Sequence, residues 1–399
     1  LPTRPPLPVD ETRYLAVAWD MWLKGNYLVP HLNGAPYSHK PPLLFWLMAS
    51  GWHLFGVNEW WPRLVAPLFG FGSLILTFNL GRTLWPESKE TWFLAPILLF
   101  GSLFWCVFAT LTMFDLLLAF FTLAAILSMV ATVRQESWHG FIFAGVATGL
   151  GVLAKGPVIL LHVIPVAVTA PWWAPVLLGS KPVFIQFRWY IGLGVTLIIA
   201  AAIGLAWAIP AGLAGGESYR DAILWGQSAG RMVKSFAHAR PFWWYAAVLP
   251  LLILPWLIWP VFWRAVRQFS ELLGDGGIRL CLVWFFIAFI IFSLISGKQL
   301  HYLLPDFPAL ALLAARLLVV SNDTRTSSRR LDVWLPSSLA VIFGSLLILG
   351  AQLPVEGRLG VILSETTSVW GALIIATGIL FFFSNETNRF NQAARLASM

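Results

Sequence analysis

From residue 60 onward the chain alternates long apolar runs with short polar breaks, at 60–84, 91–110, 113–133, 139–154, 157–178, 188–212, 243–262, 280–296, 302–320, 333–352 and 367–384. A bilayer crossing takes about 20 apolar residues, so hydropathy predicts about eleven transmembrane helices. The expected fold class is all-α: a polytopic membrane protein, with residues 1–399 forming a single transmembrane domain and no soluble C-terminal domain.

The first 60 residues follow another pattern. Leu15, Ala18, Trp19 and Trp22 recur at helical spacing with Arg13, Asp20 and Lys24 elsewhere, and Gly25 can end the run. That predicts a helix over 10–24, too polar to span and suited to the membrane surface. A second helix is expected from Pro41-Pro42, residues that suit a first turn, through Phe45-Trp46-Leu47 towards Gly56. Residues 10–56 thus read as interfacial helices. The chain opens on Leu1 and a Pro-rich stretch, without a signal peptide; a leading helix is expected to be missing ahead of it.

Composition sharpens this picture in two ways. Only 11% of residues are charged, against about 25% in soluble domains. The formal charge of +8 comes from Lys and Arg scattered between apolar runs; these read as topology signals and not as a nucleic-acid face. Cys106 and Cys281 both lie in apolar runs, which argues against a disulfide framework or thiolate metal site. Most of the 23 tryptophans read as an interfacial belt.

Threading the spans alternately places Arg82, Lys89, Arg134, Lys181, Arg188, Arg264, Arg267, Arg279 and the basic stretch from Arg316 to Arg330 on one side, taken as cytoplasmic. The opposite side gathers Asp10, Glu11, His39, Lys40, Asp115, Lys155, His238, Arg240, Lys298, His301, Tyr302 and Asp306, with 213–242 as a loop there. No inverted repeat of the transporter kind is visible.

Asp10, Glu11 and Asp115 are the candidate catalytic carboxylates, since a carboxylate beside apolar aromatic residues can serve as a base. Asp10 could equally cap the helix that follows it, and Asp115 could stabilise a helix N-terminus. Ionisable groups at an apolar span are nevertheless costly and usually functional. Arg13, Lys40, Lys155, Arg240, Lys298 and Tyr302 are candidates for binding a phosphate-bearing substrate, with snorkelling as the ordinary alternative for the lysines. His39 and His238 could hold a divalent metal, zinc or magnesium, although their spacing carries no ligand pattern and the sequence requires no cofactor.

Seven stretches occur in an order that resembles the GT-C class of polyprenyl-phosphate-sugar-dependent glycosyltransferases, in particular the lipid A aminoarabinose transferases and, more distantly, the protein O-mannosyltransferases. They are Asp10-Glu11-Thr12-Arg13-Tyr14, Tyr27 to Gly34, Lys40-Pro41-Pro42-Leu43, Phe114-Asp115, Ala154-Lys155-Gly156-Pro157, His238 to Tyr245, and Ser296-Gly297-Lys298 with Tyr302 and Pro305. The resemblance implies that Asp10 and Asp115 are essential and that Lys40, Arg240 and Tyr302 lie near the donor phosphate. It also implies a helix ahead of the Asp-Glu motif. Two departures stand out: His39 replaces the Glu typical before Lys-Pro-Pro, and the chain ends soon after its last span.

The resulting expectation is an enzyme of the bacterial inner membrane with a periplasmic active site. It would move a sugar from a polyprenyl-phosphate donor to a lipid or glycan acceptor such as lipid A, by an inverting mechanism. Its expected partners are the donor, the acceptor and membrane lipids, not nucleic acid. Alternatives are a lipid-linked-sugar flippase or transporter, a protein O-glycosyltransferase, and a non-enzymatic scaffold.

Overall fold

A computed structural model of the chain describes residues 6, 9–179, 187–224, 239–321, 330–350, 368–383 and 389–398. It is mostly helical. The N-terminal region contains α1 (Asp10–Lys24), a two-stranded hairpin of β1 (His31–Leu32) and β2 (Ala35–Pro36), and α2 (Leu43–Phe55). α1 ends where expected, at Gly25 with φ 63°, a left-handed conformation that glycine adopts without a Cβ penalty. Asn33 and Gly34, at φ 53° and 82°, supply the paired left-handed residues that a two-residue hairpin demands.

The buried face of α1 differs from the expected one. Glu11, Tyr14, Val17, Ala18 and Met21 face inward, while Trp19 is exposed and Trp22 only half-buried. These two tryptophans meet Trp52 of α2 edge-on, at ring separations of 5.7 and 5.9 Å. On the inward face Glu11 reaches the backbone N–H of Thr112 and the Tyr14 ring packs edge-on against Phe114.

The bundle follows as α3 (Trp60–Leu84), α4 (Lys89–Phe100), α5 (Leu103–Ala109), α6 (Asp115–Gln135), α7 (His139–Lys155), α8 (Ile159–Val168), α9 (Ala170–Leu178), α10 (Phe187–Gly215) and the short α11 (Glu217–Asp221). After these come α12 (Trp244–Leu252), α13 (Pro260–Val266), α14 (Gly276–Leu294), a 3-10 helix over Leu300–Asp306, α15 (Phe307–Val320), α16 (Arg330–Gly350), α17 (Ser368–Phe382) and α18 (Arg389–Ala397). α6 is central, packing on α3, α7, α8 and the 3-10 helix.

Six described helices are long and apolar enough to cross a membrane, or eight if two bent pairs each count as one span. This is fewer than the eleven expected from hydropathy. The difference lies in segments that are apolar but short or broken: α7 has 17 residues and α17 has 15, and the expected span at 243–262 is divided among α12, a 3-10 turn and α13. Large exposed side chains such as Ile198, Leu294 and Leu346 line the outside, as lipid-facing residues do in a multi-pass membrane protein.

The bends have identifiable causes. α8 and α9 meet at 59° because Pro171 has no N–H for the carbonyl of Ala167, four residues back, and its ring would clash there. The Trp189 indole donates to that carbonyl instead, at 2.8 Å, and Trp173 donates to Val166 O at 2.9 Å. At the 64° bend between α4 and α5, Trp256 donates to Leu98 O at 2.8 Å. These tryptophans are buried, so part of the set expected in an interfacial belt instead satisfies backbone groups where helices break. Farther along, Arg264 of α13 and Asp332 of α16 form a buried two-point ion pair at 2.8 and 2.7 Å.

Candidate active site

α6 and α7 are antiparallel neighbours joined by Glu136–Trp138, so the first residue of α6 and the last of α7 share one end of the bundle. These are Asp115 and Lys155, which form an ion pair with side chains 3% and 7% exposed. At such burial an unpaired charge would be very costly. Lys155 Nζ also lies 4.9 Å from the ring centre of Tyr302, within cation-π range. Tyr302 belongs to the 3-10 helix, and His301 beside it is, like Lys155 and Lys40, within electrostatic reach of Asp115.

A second group arrives from the N-terminal region. Tyr14 is 3% exposed, stands edge-on to Phe114 at 4.7 Å and donates from its hydroxyl to Asp10 Oδ1 at 3.3 Å. It lies within electrostatic reach of both Asp10 and Asp115. Burial, with Asp10 beside it, pushes the Tyr14 hydroxyl above the usual phenol range, so it remains a donor. Asp10 is the first residue of α1, with Val9 at the cap and no side-chain capping bond; the capping alternative is not what the structure shows. Its carboxylate is half exposed, 4.0 Å from Arg13.

Glu11 is 2% exposed and accepts from the backbone N–H of Thr112 at 2.7 Å, anchoring α1 to the segment that leads into Asp115. Lys40, just ahead of α2, lies 5.6 Å from the Phe114 ring centre. Asp10, Glu11, Arg13, Lys40, Asp115, Lys155 and Tyr302 therefore gather at one end of the bundle.

The other candidates are placed differently. Lys298 is 3% exposed and donates to the carbonyls of Arg240 and Ile295. It ties the bridge between Ala239 and Gly297. Arg240 is exposed and lies over Trp244 at 6.0 Å. His39 is exposed beside Tyr37, ring centres 5.2 Å apart, while His238 falls outside the described residues. Among the described residues no three His, Cys, Asp or Glu side chains come together as metal ligands. Cys106 and Cys281 are free.

Two residues here were given no role by the sequence: Tyr14, hidden among apolar positions of α1, and His162, the buried partner of Asp306. The signal for Tyr14 was its place in the Asp-Glu-Thr-Arg-Tyr motif, one helical turn after Asp10.

Residues 39–210 match the family model described as dolichyl-phosphate-mannose-protein mannosyltransferase. An undecaprenyl phosphate-alpha-4-amino-4-deoxy-L-arabinose arabinosyl transferase from Pectobacterium carotovorum subsp. carotovorum is 29% identical over 94% of this chain and 65% of its own length. One from Pseudomonas aeruginosa is 30% identical over 78% of this chain and 55% of its own length. The chain is related to the GT-C aminoarabinose transferases. ArnT from Cupriavidus metallidurans, solved bound to undecaprenyl phosphate, shares this fold across 99% of the chain and 71% of its own, with a TM-score of 0.76 at 18% identity. Its apo form matches with a TM-score of 0.65. The chain spans between about half and two thirds of the length of the aminoarabinose transferases it matches in sequence.

Proposed function

We propose that the protein transfers a sugar, of the 4-amino-4-deoxy-L-arabinose type handled by its relatives, from undecaprenyl phosphate to a lipid or glycan acceptor such as lipid A. The carrying observation is the buried Asp115–Lys155 pair beneath Tyr302, at the helix ends where α1 brings Asp10 and Tyr14. The reaction would occur on the periplasmic face of a bacterial inner membrane, with about eleven crossings if the shorter apolar segments also span. Residues 10–56 would lie at that face; of the expected loop at 213–242, the start is the end of α10 and the short α11, and residues 225–238 lie outside the described residues.

In this reading an acceptor oxygen attacks the anomeric carbon opposite the donor phosphate. The bond from that carbon to the phosphate oxygen breaks and the acceptor oxygen takes its place with inversion; a hydroxyl acceptor passes its proton to Asp10, whereas a phosphate acceptor is already nucleophilic and is only oriented there. The lipid phosphate leaves with about one more negative charge. Lys40 and Lys155 stabilise that gain in the transition state more than in the ground state, while Asp115 holds Lys155 in place. Arg240 would join the phosphate site only by swinging off Trp244.

A flippase or transporter would be expected to carry its polar site near mid-membrane; here the ion pair sits at helix ends. The match of residues 39–210 to a protein mannosyltransferase model supports a protein acceptor as the second reading. Purified protein in liposomes with undecaprenyl-phosphate aminoarabinose and lipid A decides: consumption of donor with an inverted product is expected. Lipid movement with intact donor would sink the enzyme reading, and transfer to a peptide alone would favour the second.

A further inference from the structure

We propose that the buried pair His162–Asp306 is a positioning element that sets Tyr302 against Lys155; this rests on the transferase reading of the same site. His162 Nδ1 and Asp306 Oδ1 are 2.7 Å apart, and both side chains are 0% exposed. Their second polar atoms, His162 Nε2 and Asp306 Oδ2, have no hydrogen-bond partner. The Trp284 indole bears on Asp306 without closing a bond of ordinary geometry.

Burial of two ionisable groups so incompletely satisfied is costly. An apolar pair of similar volume would hold α8 to its neighbours as well or better. The placement of the pair supplies a use. Asp306 is the last residue of the 3-10 helix that carries Tyr302, and 3-10 segments have poor internal hydrogen bonds, so their pitch depends on what fixes their ends. His162, on α8, fixes this end. A second path runs through Phe292 of α14, whose ring centre is 5.4 Å from that of His162 and 5.9 Å from that of Tyr302. Both paths lead to the ring that lies 4.9 Å from Lys155 Nζ.

The test uses two readouts on the full chain. With 3-fluorotyrosine at the 7 tyrosines, the Tyr302 resonance, assigned by Tyr302→Phe, should shift in His162→Leu while that of Tyr27 stays in place. In the transfer assay, His162→Leu should lower kcat about tenfold with donor KM little changed, but have almost no further effect in a Tyr302→Leu background, as expected for coupled residues. His162→Asn, which keeps a donor for Asp306, should recover most of the rate. An unmoved Tyr302 resonance, or losses that multiply with Tyr302→Leu, would overturn the proposal. Failure of the wild-type protein to consume donor would strike the transferase reading instead, while the fluorine spectrum still decides the pair.

Discussion

Glu11 accepts a hydrogen bond from the backbone N–H of Thr112, so a carboxylate from the surface helix fixes the segment that delivers Asp115. Its neighbour Asp10 points instead towards Tyr14 and partial exposure. Two adjacent acids thus divide into an anchor and a candidate base.

Glu11→Ala should leave the Thr112 N–H unpaired in a buried place, destabilising the protein by about 1–3 kcal/mol. Glu11→Gln keeps an acceptor and should recover most of that loss. Thermal unfolding in detergent measures both, and an unchanged midpoint for Glu11→Ala would refute the anchoring role.

For Asp115 and Lys155, stability and activity should separate. Asp115→Asn or Lys155→Met alone leaves a buried charge uncompensated, a loss of about 3–5 kcal/mol. The double variant removes both charges and should regain much of the stability, yet remain inactive in sugar transfer. Recovery of turnover in the double variant would show that the pair is structural only.

Lys40 and Lys298 should behave differently towards the donor. Lys40→Ala is expected to reduce kcat/KM by at least about tenfold, a loss of about 1.4 kcal/mol in transition-state binding. Lys298→Gln should change it little, since this lysine serves the carbonyls of Arg240 and Ile295. Burial holds the Lys298 ammonium below the ordinary lysine range. Between its folded value and about 10.4 the unfolded chain therefore binds more protons, and stability should rise with pH across that window. Stability-against-pH curves should show this rise in the wild type and lose it in Lys298→Gln.

Trp189→Phe should retain the ring's packing but strip the donor from Ala167 O at the α8–α9 bend. The expected loss is about 1–3 kcal/mol, with donor KM unchanged. A variant as stable as the wild type would mean that water or another group satisfies the carbonyl.

Much of this was legible in the sequence, for reasons that differ by element. The edges of α1 and α2 were marked by Gly25, the Pro41-Pro42 pair and Gly56, whose effects are local. Long apolar runs located α3, α6, α10 and α14, but hydropathy cannot see the break that Pro171 makes within one such run. The convergence of Asp10, Lys40, Asp115 and Lys155 was foreseeable from alternating spans. The inward turn of Lys298 was not, because it depends on carbonyls left free by the irregular backbone at 295 and 240. His162 and Asp306 lie 144 residues apart in apolar surroundings, and nothing local announces their meeting.

The Asp115–Lys155 pair also bears on how the chain enters the membrane during synthesis. Asp115 emerges 40 residues before its partner, and a lone ionised group within a span can raise the insertion free energy by as much as about 2.5–3.5 kcal/mol at its centre. The hairpin of α6 and α7 is the smallest piece that carries both charges. Nascent chains cut after Gln135 should therefore integrate less completely than chains extended through Gly156, a difference that glycosylation mapping of truncated fragments would register.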